Sequence, residues 1–167
     1  YIDALTATAR SQGRDRYFTY ITSIAQENAF FSSGATAGFG VRFAYQGNRL
    51  FVIETFENAP ALTAGIDRGT EILAIGTSES NLVPVSDIIA AQGSAGISSA
   101  LGPNTVGTTR VLRITNAGGT RNVTIAKADY NIDPLSSRYG VKVIDDGGRK
   151  VGYINMRTFI STADNQL

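Results

Sequence analysis

A chain of 167 residues with 43% hydrophobic and 17% charged residues has a folded protein's composition, long enough for one ordinary domain or a small domain flanked by pieces of another. Its 15 Lys and Arg against 14 Asp and Glu leave a net charge of +1, too little basic excess to neutralise a run of phosphates, so nucleic acid is not an expected partner. Without cysteine or histidine, the chain cannot form disulfides, thiolate nucleophiles, a Ser/His/Asp triad or most zinc and iron ligand sets, and no metal or cofactor is expected.

In chain order, Ile2, Leu5 and Ala9 recur at helical spacing until Gly13 breaks the pattern. A second helical pattern follows through Tyr17, Tyr20, Ile21, Ile24 and Ala25, and the two helices are expected to cap a core. There is no apolar run of the roughly eighteen residues needed to cross a membrane, and Tyr1 opens on helical character rather than on a signal peptide. The expectation is an excised fragment without its own targeting or membrane segment.

From Phe39 the period changes to two. Val41, Phe43 and Tyr45 alternate with Arg42 and Ala44, and Gln46-Gly47-Asn48 turns the chain into a second strand through Leu50, Val52 and Ile53. Pro60 suits the first turn of a short helix and Gly65 its C-terminal cap. Glu71 to Ile75 reads as a short buried strand, and Val85 to Ala91 as a helix with Ser86 and Asp87 as capping candidates. Gly93 to Gly102 reads as loosely helical or irregular.

Two further strands, Thr108 to Thr115 and Arg121 to Ala126, flank the turn Asn116-Ala117-Gly118-Gly119. Asp133-Pro134 favours an extended connector and marks a boundary. Beyond it a hairpin is expected from Arg138 to Ile144 and Lys150 to Met156, with a helix opening at Phe159.

The stretch GATAGFGVRFAY, Gly34 to Tyr45, places glycines before a strand, the reverse of the strand-loop-helix order of a nucleotide-binding fingerprint. Backbone amides in a loop that enters an edge strand can hold a peptide's terminal carboxylate while the strand pairs with the peptide. A tight turn whose glycines only accommodate positive φ explains the same residues.

The order of segments adds to this. The run from Asn58 to Gly76, NAPALTAGIDRGTEILAIG, resembles the "SPA..AGL..GD.I..ING" pattern of the PDZ domain in its bacterial, circularly permuted form, through Ala59, Pro60, Ala61, Ala64, Gly65, Ile66, Gly69, Ile72, Leu73, Ile75 and Gly76. Thr70 departs from the family's aspartate and Thr77 from its Asn-Gly turn, which leaves the local turn geometry to be tested. On the flanks, GRDRYFTYI from Gly13 and KVGYINMRTF from Lys150 resemble the segments that bracket this domain in carboxy-terminal processing peptidases.

The resemblance implies an α+β fold: a PDZ-like small β-barrel or sandwich with two helices at residues 34–129. It also implies an N-terminal helical segment of the protease domain at 1–33 and the start of the protease core at 130–167. By the same resemblance the whole protein is an extracytoplasmic serine peptidase with a Ser/Lys dyad, periplasmic or membrane-anchored. Its PDZ domain captures the C-terminal tails of protein substrates, and its catalytic residues fall in a downstream protease domain, beyond this chain.

On that reading the carboxylate is held by the backbone amides of Phe39, Gly40 and Val41. The groove is formed by Phe43 and Tyr45 on the strand and Val85, Ile88 and Ile89 on the following helix. Two alternatives stay open: a regulatory PDZ domain that gates the protease site, and a non-catalytic PDZ scaffold.

Other candidates read as ordinary structure. Lys127, Lys142 and Lys150 fit solvated strand lysines better than general bases, and Ser94, Ser98 and Ser99, with no base nearby, fit helix and loop capping. Asp145 and Asp146 lack the further oxygens of a calcium loop and read as turn residues. Arg10, Arg14 and Arg16 read as a solvated helix face. The apolar faces of the terminal helices and hairpin are expected to pack on each other.

Overall fold

The computed structural model describes residues 1–15 and 19–163. The first helix, α1 (Ile2–Ser11), carries Asp3 in its first turn and Arg10 in its last, both complementing the helix dipole. Arg10 pairs with Asp3 and with Asp15, so it is not the freely solvated cation expected of that face. Of that basic cluster, Arg16 lies outside the described residues.

The second helix, α2 (Ile24–Ser33), starts later than its apolar spacing suggests. Ser23 adopts an extended conformation and its hydroxyl accepts from the Gln26 N–H, which fixes the start there. Tyr20 and Ile21 therefore precede the helix, while Tyr17 lies outside the described residues. Gly34 ends α2 in the left-handed region at φ 71°.

The glycine-rich segment is in part a strand: β1 (Ala35–Gly38) pairs antiparallel with β8 (Ala128–Asn131), a contact between residues 90 or more apart that no local pattern signals. Then come β2 (Val41–Gln46) and β3 (Arg49–Thr55), paired as the expected hairpin with an irregularity between Arg42 and Phe43. After α3 (Pro60–Thr63), the strands β4 (Glu71–Gly76) and β5 (Val83–Pro84) lead into the helix α4 (Val85–Leu101). The sheet is completed by β6 (Thr109–Asn116) and β7 (Gly119–Ala126).

These strands form one antiparallel sheet in the order β2-β3-β4-β6-β7, with β5 added beside β4. The architecture is α+β, and the sheet is open, with β2 at one edge, rather than closed as a barrel. Leu50, Val52, Ile72, Leu112 and Ile114 bury one face of it under Ile97 of α4 and Ile66 after α3. A smaller cluster of Phe56, Ala59 and Ile132 with Phe30 and Tyr130 ties α2 and β8 to the same unit.

Of residues Gly93–Gly102, expected to be loosely helical or irregular, all but Gly93 and the terminal Gly102 are helical. Gly93 sits at φ 62°, ψ −151° and kinks α4 into two pieces. The two departures at Thr70 and Thr77 are accommodated locally. The buried Thr70 hydroxyl accepts from the Asp67 N–H, supplying the acceptor an aspartate would, and the Asn81 side chain accepts from the Thr77 and Ser78 N–H groups.

The two chain ends meet only in part. α2 packs on the 3-10 turn Ser161–Ala163, the one described turn of the helix expected from Phe159. The hairpin β9 (Val141–Asp146) and β10 (Arg149–Ile154) is exposed along both strands, so the expected packing of hairpin against helices does not occur. A lone two-stranded ribbon cannot cover either of its own faces. No described helix is long and apolar enough to cross a membrane.

Candidate functional site

The loop between β1 and β2 is fastened from behind. The Phe39 carbonyl accepts from the Ala61 N–H and the Gly40 carbonyl from the Phe56 N–H, both at 2.9 Å. Gly40 sits at φ 77°, and a Cβ there would lie 2.0 Å from the Ala59 Cβ, so both the conformation and the close approach require glycine.

With their carbonyls spent on this anchoring, the N–H groups of Phe39 and Gly40 donate to no backbone carbonyl among the described residues. Gly40 pairs with Phe56, so the alternation of an antiparallel ladder turns the Val41 N–H to the open side of β2. The Val41 donor thus serves the unpaired edge of β2, and the Phe39 and Gly40 N–H groups stand in the loop that leads into it.

Beside this loop lies a cleft of about 330 Å³. Phe39, Gly40, Val41 and Phe43 form one wall, Ser98 and Leu101 of α4 the other, and Asn104, Lys127 and Tyr130 complete it. Of the residues expected in the site, the structure brings Phe39, Gly40, Val41 and Phe43 together. Tyr45 lies at the far end of β2, exposed and outside the cleft. Val85 is buried in the core and Ile89 packs against that core. Ile88 lines a separate cleft of about 610 Å³ with Ile75, Val83 and Gly96.

The kink at Gly93 explains the difference. It separates the first helical piece, which carries Val85, Ile88 and Ile89, from the second, and only the second reaches the loop. Ile97 and Leu101, spaced i, i+4 before Gly102, are the sequence signal for that second piece.

Lys127 also departs from its expected role. Only 3% exposed, it donates to the carbonyls of Gly102 and Pro103 and to Asn104 Oδ1 at 2.7, 2.9 and 3.0 Å. Its ammonium stands 5.0 Å from the centre of the Phe39 ring. Burial pushes its pKa down, and the Arg110 charge pushes the same way.

A second polar centre joins the sheet unit to the segment after Pro134. The Arg157 guanidinium, its side chain 2% exposed, pairs with Glu54 at 2.6 Å and with Glu57. Glu57 accepts from the Ser136 hydroxyl at 2.9 Å and from the Arg138 N–H at 3.2 Å. Arg138 in turn makes a two-pronged pair with Asp67 at 2.9 and 2.6 Å. Burial pushes the Glu57 carboxyl up, but hydrogen bonds from Arg157, the backbone and Ser136 outweigh it and hold it at about 2. Among the described residues no cluster of acidic side chains is placed to hold a metal.

No protein-family model matches the chain, and no curated protein matches it in sequence. Solved structures do. The photosystem II D1 C-terminal processing protease aligns over 79% of this chain and 34% of its own, with a TM-score of 0.50 and 19% identity. The chain shares the fold of that part of the protease. It spans about a third of the protease's length.

Two further structures align more loosely. The PDZ domain of a carboxy-terminal protease from Vibrio cholerae, solved in complex with a peptide, is covered over 99% of its length by 59% of this chain, at a TM-score of 0.43 and 16% identity. A structure from Bacteroides fragilis assigned to the S41 proteases aligns over 90% of this chain and 43% of its own, at 0.45 and 18%.

Proposed function

We propose that residues 34–129 form a PDZ domain that binds the free C-terminal tail of a polypeptide. The observation that carries this reading is the loop whose Phe39 and Gly40 N–H groups donate to no backbone carbonyl among the described residues, leading into the unpaired edge of β2 next to a cleft of side-chain size. The tail carboxylate accepts from the amides of Phe39, Gly40 and Val41, and the tail runs antiparallel along β2 as an added strand. Its last side chain enters the cleft between Phe39, Val41 and Phe43 on one side and Leu101 on the other. Burying one such side chain contributes about 1.5–3 kcal/mol, which fits a modest affinity and ready release.

The fold shared with a processing protease supports placing this domain in a serine peptidase. Residues 1–33 and 130–167 then belong to the protease body, the catalytic residues lie outside this chain, and the enzyme works extracytoplasmically. The chain by itself is expected to show no peptidase activity, and measurable turnover would contradict this assignment.

A second reading, in which the PDZ domain gates the protease site, is favoured by the buried Arg157 cluster, which locks the domain to the segment after it. Deleting residues 34–129 from the full-length enzyme separates the two. Tail cleavage disappears if the domain delivers substrate, and basal cleavage rises if it gates.

Tail binding itself is tested with one apolar-ended peptide in two forms, free acid and amide, titrated by fluorescence anisotropy. The free acid is expected to bind at least tenfold more tightly, about 1.4 kcal/mol. Equal binding removes the carboxylate loop from the account.

A further inference from the structure

We propose that the cleft behind the kink of α4 is a second binding site, and that it takes a small amphipathic molecule with an aliphatic body and one carboxylate end. It shares no lining residue with the tail cleft, so it stands or falls independently of tail binding.

The kink makes the hollow. At φ 62° and ψ −151°, Gly93 holds a conformation that is essentially confined to glycine. It turns the two pieces of α4 so that Ile88 and Ala91 of the first and Gly96 and Ala100 of the second line one cleft, with Ile75 and Val83 on the sheet side. Where the two pieces meet, a Cβ on Gly96 would lie 2.8 Å from the side chains of both Ile88 and Gln92, so glycine is needed there too. At about 610 Å³ the cleft falls within the roughly 300–1,000 Å³ of small-molecule sites. Its small and aliphatic lining favours a ligand that gains by leaving water. An extended peptide is disfavoured, because the bordering strand β5 is two residues long and its Pro84 has no N–H to offer a ladder.

Charge decides the other end of the ligand. Arg110 lines the same cleft, half-buried, and donates from Nε to the Ala100 carbonyl at 2.6 Å and from Nη1 to the Thr109 carbonyl at 2.7 Å. Both acceptors are neutral, no carboxylate pairs with it among the described residues, and most of its fork of N–H donors is unspent. A guanidinium in that state suits a carboxylate, which it can hold with two parallel bonds. The acidic side chain on the lining, Asp87, needs no cationic ligand: it is exposed, accepts from the Ser86 hydroxyl at 3.1 Å and sits in the first turn of α4, where the helix dipole stabilises it. Capping the end of α4 accounts for the bond from Arg110 to Ala100, and an arginine with that role alone would not read a ligand's charge.

The test titrates decanoate, decanol and decylammonium into the 167-residue chain and follows the amide signals of Ile88, Ala91 and Gly96 by proton–nitrogen correlation NMR, with thermal melting recorded for each variant. Decanoate is expected to move all three signals to saturation and to bind about tenfold more tightly than decanol, with decylammonium no better than decanol. Arg110→Met is expected to bring decanoate down to the level of decanol, and Arg110→Lys to keep most of the preference. An arginine that only caps α4 would change the melting temperature and leave the preference untouched.

Equal binding of the three probes, or an unchanged preference in a folded Arg110→Met, overturns the inference. Movement confined to Phe39, Gly40 and Val41 also overturns it, since decanoate would then be entering the tail cleft. If Arg110→Met does not fold, Ala91→Phe, at an exposed helix position, fills the hollow instead. That variant is expected to abolish decanoate binding and to keep tail-peptide binding within about twofold, and undiminished decanoate binding by it overturns the inference.

Discussion

The β2–β3 and β9–β10 hairpins each join two alternating strands across a turn with glycine at positive φ, yet they sit in opposite surroundings. Leu50 and Val52 of the first are at most 1% exposed, whereas Val141 and Val143 of the second stand at 62% and 72%. Strand pattern and turn chemistry make both ribbons. Only the first has β4, α4 and the residues after α3 to cover it, so burial comes from the layer above a strand and not from the strand's own sequence. What joins the two regions is polar, the buried Arg157 cluster.

The largest effect is expected at that junction. Arg157→Met removes the shared cation of a buried cluster and leaves Glu57 with only the Ser136 hydroxyl and the Arg138 N–H and Glu54 with the half-exposed Arg42, which should cost about 3–5 kcal/mol in chemical denaturation. A cost below 1 kcal/mol would mean that the two regions are held together by something else. The contrast between the hairpins is sharpened next by Leu50→Ala, expected to cost about 2–5 kcal/mol, against Val143→Ala, expected within about 0.5 kcal/mol. Equal costs would break the comparison.

Acid should act on the junction before it acts on the sheet. The Glu57 carboxyl is held at about 2, below its ordinary 4.5, so its contribution is present above pH 4.5 and is lost as the pH falls towards 2. Melting curves across that window should show a loss of roughly 2–3 kcal/mol that is absent in Glu57→Gln. The smallest effect is on binding: Leu101→Ala should weaken tail binding about tenfold, while Ile88→Ala, in the other cleft, should leave it within about twofold.

Much of the fold was legible because it is local. The alternation of Val41, Phe43 and Tyr45, the Pro60 helix start and the Asn116–Gly119 turn all act over a few residues. The pairing of β1 with β8 was not, because its partners are far apart in sequence and Ala35–Gly38 carries no strand pattern. The candidate cleft was legible only on its loop side. GFG marks the loop, but the clear helical spacing ends near Ala91 and points to Ile88 and Ile89 for the helix wall, whereas α4 continues past a kink at Gly93 to Leu101. Lys127 was hidden for a different reason. A lysine on a strand ordinarily faces water, and only the carbonyls at the end of α4 draw this one inward.

The central claim is that the amides of Phe39, Gly40 and Val41 hold a carboxylate. Proton–nitrogen correlation spectra of the labelled chain, recorded while an apolar-ended peptide is added, read those three groups individually. The account predicts that all three signals move downfield with the free-acid peptide and barely respond to its amide. Equal movement with both peptides, or movement confined to residues around Ile88, would contradict it.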